Sequence, residues 1–131
     1  MSAQMKGARV KGALLLAGLL AGVCAAQAAG DARRGEKVFE ECRACHAVER
    51  GVDGQVGPAL HGLFGRRAGT AGDFRFSPAM KRSNINWSAQ TLDAYLADPQ
   101  AVVPANRMPY AGLPGAGDRA DLIEYMREVF K

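Results

Sequence analysis

The sequence predicts an all-α fold of about three to five helices joined by long loops that wrap around a bound group. Three observations carry that prediction. Apolar residues recur at helical spacing in three separate stretches. No stretch alternates apolar and polar residues as a half-buried strand does. Between the first and second stretches lies a glycine-rich segment without any periodicity.

Taken in chain order, Asp31 stands where an N-cap belongs, ahead of a helix over about 32–43. Val38 and Phe39 are its apolar contacts, and Gly35 leaves room for close approach. Residues 50–76 contain Gly51, Gly54, Gly57, Pro58, Gly62, Gly65, Gly69 and Gly72 and read as loop. A loop of that length argues against a compact domain unless it wraps something. Ser88 caps a helix over about 89–97, with Leu92, Tyr95 and Leu96 on one face and Asp98-Pro99 as its stop. Asp118 is read as the cap of a last helix reaching about Phe130, with Leu122, Ile123, Tyr125, Met126, Val129 and Phe130 apolar. Repeats, low-complexity tracts and linkers are absent from the sequence.

Residues 1–28 have the organisation of a secretory signal peptide. Lys6, Arg9 and Lys11 precede an apolar run from Gly12 to Ala26, followed by Ala26-Gln27-Ala28. The run is shorter than the roughly 20 residues of a comfortable membrane span. Cleavage after Ala28 is expected, leaving one domain over residues 29–131; retention as an uncleaved anchor is the alternative. Val23 fits poorly ahead of a lipid-modified Cys24, so Cys24 leaves with the leader and two cysteines remain. Export also moves the charge balance. The net charge of +4 includes the leader's three cations, whereas residues 29–131 hold fourteen cations and thirteen acids. Nucleic-acid binding has no support from such a balance. A domain this small buries a modest core, and a large apolar cofactor would supply much of the missing interior.

Cys42-Arg43-Ala44-Cys45-His46 is the C-x-x-C-H attachment signature of a c-type haem. Each thiol can form a thioether with one vinyl group of the porphyrin, and His46 then offers an imidazole nitrogen to the iron. A redox dithiol and half of a zinc site share the C-x-x-C spacing. Zinc would want four ligands, and adding His61 leaves the count one short. A redox dithiol opens a helix after a strand, and no strand-like run precedes Cys42. Export fits haem c, whose attachment takes place outside the cytoplasm. Candidates for the second axial position are Met80, Met108, Met126 and His61. Core packing explains Met126, gap-filling explains Met80, and a surface loop position explains His61. Met108 lies in the proline-stiffened run from Pro104 to Gly112, with no helical or strand period, and takes the sixth position.

The chain resembles class I cytochrome c, closest to the bacterial cytochrome c2 and mitochondrial cytochrome c group, over essentially all of residues 31–131. The anchors are Cys42-x-x-Cys45-His46, the run from Gly57-Pro58 to Gly65-Arg66, Asn86-Trp87, Tyr95-Leu96-x-Asp98-Pro99, Met108-x-Tyr110-Ala111-Gly112 and Asp121-Leu122-Ile123-x-Tyr125. The resemblance implies the small cytochrome c fold around one covalent haem c. It implies that the Pro58 carbonyl accepts from the His46 ring, that Met108 is the distal ligand, and that Tyr95 lies near its sulfur. Arg66 and Trp87 would meet the inner propionate, and Gly35 and Phe39 would pack on Leu122 and Tyr125.

Several positions depart from the family pattern. Phe76 stands where a tyrosine often donates to a propionate, and Asn106 replaces a frequent threonine beside the methionine. Gln100-Ala101 and Glu41 replace lysines near the haem edge, leaving Arg43, Arg107 and perimeter cations at 66, 67, 81 and 82. Electrostatic steering should therefore be milder than in a strongly basic relative.

The function implied is a soluble, monomeric, periplasmic one-electron carrier that is not an enzyme. Its partners would be redox proteins met by transient docking: a cytochrome bc1 complex or periplasmic dehydrogenase as donor, and an oxidase, photosynthetic reaction centre or peroxidase as acceptor. Two rivals stand beside it. With a labile Met108, as Pro109 and the absent threonine at 106 would allow, the iron could bind peroxide, NO or CO. Alternatively, the chain is a dedicated electron-transfer subunit of a membrane oxidoreductase.

Overall fold

Two helices that cross at a glycine set the frame of the molecule. A computed structural model describes residues 29–49 and 56–131; the expected leader, Cys24, Gly51 and Gly54 lie outside the described residues. The elements are α1 (Ala32–Arg43), α2 (Pro78–Arg82), α3 (Ala89–Ala97), α4 (Pro99–Val102) and α5 (Ala116–Val129). The described part is helical, as the periodicity predicts. Its only ladder-like feature among those residues is an isolated bridge between Arg67 and Asn86.

Asp31 caps α1, its carboxylate accepting from the amides of Arg33 (2.9 Å) and Arg34 (3.2 Å). The helix meets α5 where Gly35 is buried; a Cβ there would collide with the Asp121 carbonyl, so only glycine lets the backbones approach this closely. One turn on, Phe39 is 0% exposed, its ring 5.4 Å from that of Tyr125 and 5.3 Å from that of Phe130. The crossing is locked by charge. Buried Asp121 accepts from Arg34 Nε (2.6 Å), Arg34 Nη2 (3.1 Å) and the Asp31 amide (2.6 Å). The Arg34 guanidinium, bonded directly to it, holds the Asp121 carboxyl below the usual carboxylate range.

α5 begins at Ala116, three residues before the start expected from a cap at Asp118. Gly115 is the N-cap and contributes no side-chain bond. Asp118 instead occupies the first turn, where a negative charge meets the positive end of the helix. Composition misplaced the start because a first-turn aspartate and a capping aspartate look alike in sequence. Two short helices were also not anticipated. In α2, Ser77 accepts from the Met80 amide ahead of Pro78 at the first helical position. In α4, Asp98 accepts from the Ala101 amide ahead of Pro99. Asp98-Pro99 thus ends α3, as expected, and at once starts another turn.

α3 carries a full capping box between Ser88 and Thr91. Arg119 ties it to α5 by donating to Asp93 Oδ1 (2.7 Å) and to the carbonyls of Leu113 and Pro114 (2.8 Å each). The long loop is pinned by Gly65 N to Trp87 O (2.7 Å), Trp87 N to Arg66 O (2.9 Å) and Ala68 N to Ile85 O (2.8 Å). Among the described residues no helix is long and apolar enough to cross a membrane.

Candidate haem-binding site

The helices and loops enclose a cavity of about 340 Å³, within the range of ligand sites. Cys42, Cys45, His46, Pro58, Arg66, Trp87, Tyr95 and Met108 all line it, although they come from five separate stretches of chain. His61 is not among the lining residues and is half-buried in its loop. Arg107 and Tyr110 line the same cavity as the two cysteines.

Cys42 sits in the last turn of α1, and the amides of Cys45 (3.1 Å) and His46 (2.9 Å) both return to its carbonyl. That tight turn presents both sulfurs and the imidazole to one cavity. Neither cysteine is in a disulfide. Burial, with smaller contributions from Glu41 and Cys45, pushes the Cys42 thiol up to about 11. A redox dithiol needs a lowered thiol pKa, so this environment does not suit one. Nor does any group of three or more His, Cys, Asp or Glu among the described residues stand ready to hold a metal ion.

His46 Nδ1 lies 2.7 Å from the Pro58 carbonyl. A carbonyl can only accept, so Nδ1 carries the proton and Nε2 keeps its lone pair. Burial lowers the His46 pKa despite that bond and keeps the ring neutral. Gly57 makes the arrangement possible: a Cβ there would stand 2.7 Å from His46 Cε1 and 2.8 Å from Nδ1. Sequence reading placed Gly57 in a motif but missed this role.

Met108 is half-buried, and its Sδ receives the Tyr95 hydroxyl at 3.5 Å. Burial pushes the Tyr95 phenol up to about 12, so it remains a donor. Trp87 stands edge-on to Tyr95, with ring centroids 5.1 Å apart. The larger surprise is Asn106, only 8% exposed. Its amide donates to the carbonyls of Pro99 (2.8 Å) and Val103 (3.0 Å), and its Oδ1 accepts from the Met108 amide (2.8 Å). The residue expected to loosen the methionine loop therefore ties it to α4. Those bonds also hold Ala105 in the left-handed region (φ 64°), which costs about 1–2 kcal/mol.

Arg66 is half-buried and donates to the carbonyls of His61 (2.7 Å) and Ala59 (3.2 Å), with burial lowering its pKa. Phe76 packs edge-on against Phe74 at 4.9 Å, and both line the cavity. Ser77, also lining and buried, was missed by sequence reading; Ser-Pro before an apolar turn was the available signal. Met80 and Met126 complete a set of three lining thioethers with Met108.

The donor set fits a haem: two cysteine sulfurs outside any disulfide, an imidazole with a free ring nitrogen, a thioether, and mostly apolar walls. A sequence profile of the family described as Cytochrome c matches residues 32–130. The chain belongs to the cytochrome c family. Cytochrome c of Chlamydomonas reinhardtii is 45% identical over 102 residues, covering 77% of this chain and 91% of that protein. Cytochrome c2 of Blastochloris viridis is 41% identical over 110 residues (84% and 87%), and cytochrome c2 iso-2 of Magnetospirillum molischianum 47% over 91 (70% and 93%). The cofactor of this cytochrome c is one haem c, held covalently through Cys42 and Cys45, and the chain is a mono-haem electron carrier.

Proposed function

We propose that this cytochrome c is a periplasmic shuttle with His46 and Met108 as axial ligands, exported by a leader cleaved after Ala28. It would carry electrons from a bc1-type complex or periplasmic dehydrogenase to an oxidase, photosynthetic reaction centre or peroxidase. The observation that carries the reading is the bracing of Met108. Its sulfur is held by Tyr95 and its amide by Asn106, in the same cavity that His46 lines.

The haem supplies a single one-electron couple when bound. The chain's residues set how that couple behaves. The Pro58 carbonyl fixes the His46 tautomer and ring orientation, keeping Nε2 available as a ligand. Met108 contributes a soft thioether, which favours Fe(II) and raises the potential. Arg66 and Trp87 would meet the propionates. Leu60, Leu63, Leu92, Leu96 and Leu122 line the cavity and keep water out. His46 and Met108 would both hold the iron, leaving it no position for a substrate, so the reading is carriage rather than catalysis.

Two measurements on the purified protein test this. Its mass should equal residues 29–131 plus one haem; a retained leader would favour a tethered carrier. The reduced protein at neutral pH should show no spectral change under CO. A ready shift would mean an open or labile sixth position and would move ligand sensing to first place.

A further inference from the structure

A haem brings two carboxylates into the cavity as well as an iron, and a carboxylate taken out of water needs a cation or several donors to meet it. Its propionates leave the macrocycle opposite its vinyl groups. With the vinyls at Cys42 and Cys45, the anions fall to the wall across from the cysteine turn. Two neutral donors that the family pattern would set near them are lost in this chain. Phe76 has no polar side-chain atom, and Asn106 spends its amide on the Pro99 and Val103 carbonyls. Arg66 and Trp87 answer for one propionate only.

Five charged side chains line the cavity: Glu41, Arg66, Arg67, Arg75 and Arg107. Arg107 belongs to the cysteine end. Three residues on, burial and then the charges of Glu41 and Cys42 push the Tyr110 phenol up. Arg67 turns to Asn84, donating to its Oδ1 at 2.6 Å. Arg66 clasps its own loop through the His61 and Ala59 carbonyls. Arg75 is placed differently. The Phe76 amide returns to the Phe74 carbonyl at 3.0 Å, a three-residue turn with Arg75 at its apex. That turn sets the Phe74 and Phe76 rings edge-on at 4.9 Å, both lining the cavity, and leaves Arg75 at the mouth, exposed yet lining. The cysteine turn is bonded to Gly57 and Leu60, whereas the loop leading to Arg75 is bonded to Ile85 and Trp87.

We propose that Arg75 binds the second haem propionate, its guanidinium replacing the neutral donors lost at positions 76 and 106. The aromatic pair on either side fixes the turn, and the planar fork of an arginine matches a carboxylate with two parallel bonds. The inference rests on the covalent haem and not on the choice of redox partners.

The test uses haem-loaded protein with 13C in both propionate carboxyls, introduced through labelled 5-aminolevulinate. In the reduced protein, Arg75→Gln should move one carboxyl resonance and leave the other, while Arg67→Gln and Arg107→Gln should move neither. Equilibration with the hexacyanoferrate(III)/(II) couple supplies the second readout. Removing a cation beside an anionic haem favours Fe(III), so the equilibrium should shift about two- to tenfold toward oxidised protein in Arg75→Gln. Arg75→Lys should recover most of that shift, and Arg82→Gln, exposed but outside the cavity lining, should change it little. Carboxyl resonances that stay put in Arg75→Gln overturn the proposal even if the equilibrium moves, because only a distant charge would then be at work. Movement of the same resonance in Arg67→Gln or Arg107→Gln overturns it as well. So does loss of the far-red iron–sulfur band in Arg75→Gln, which would assign the residue to the methionine loop.

Discussion

The α1–α5 crossing and the loop-built cavity solve opposite problems. At the crossing every need is met from within: Gly35 admits the backbone, Phe39 fills the contact, and Asp121 is neutralised by Arg34. Around the cavity the chain leaves needs open. Arg66, Arg67, Arg75 and Arg107 line it, and none has a carboxylate partner among the described residues. Apolar side chains from α1, α3, α5 and the loops face a common space. One region is complete as protein. The other is complete only with haem.

Removing the group should therefore have the largest effect. Cys42→Ala/Cys45→Ala protein, which cannot hold haem covalently, should lose cooperative unfolding altogether, as followed by near-UV circular dichroism. Losing the group costs more than the few kcal/mol by which a small domain is stable. A cooperative transition in that protein would show that the helical frame suffices alone. Next comes Phe39→Ala, which empties the crossing. It should cost about 3–5 kcal/mol in denaturant unfolding while leaving the haem spectrum of the folded protein intact.

Asn106→Ala probes the seam between the regions. It strands two carbonyls and the Met108 amide, so a cost of about 1–3 kcal/mol is expected. The far-red iron–sulfur charge-transfer band should then be lost at lower denaturant than global unfolding. Coincident loss would mean that Asn106 supports the fold and not the methionine loop in particular. The smallest effect is a pH dependence. The depressed Asp121 pKa stabilises the fold above the carboxyl's unfolded pKa of about 3.9, and the benefit fades as pH falls through the folded value. Asp121→Asn should therefore be less stable than the parent at neutral pH, and the gap should close in acid. A gap that persists at low pH would assign the loss to geometry instead of charge.

Much of this was legible in sequence because it rests on local chemistry. Asp31 and Ser88 announce their helices, and C-x-x-C-H names its cofactor. Gly35 signals a close crossing. What escaped depends on contacts between distant segments. Nothing in the sequence says that Gly57 must vanish for His46 to reach Pro58. Asn106 looked like a weakened position because one hydroxyl had become an amide. In the fold that amide reaches two carbonyls and a backbone N–H, which a hydroxyl could not all satisfy. The short helices α2 and α4 were missed for a different reason: four or five residues are too few to show a period. Their Ser-Pro and Asp-Pro starts were nonetheless visible.

The proposal of Met108 as sixth ligand picks one of the three thioethers that line the cavity. It is tested most directly by recording the far-red charge-transfer band of the oxidised protein in Met80→Leu, Met108→Leu and Met126→Leu side by side. The account predicts that the band survives in the first and third and vanishes in Met108→Leu. A band that persists without Met108, or disappears with Met80, would contradict it.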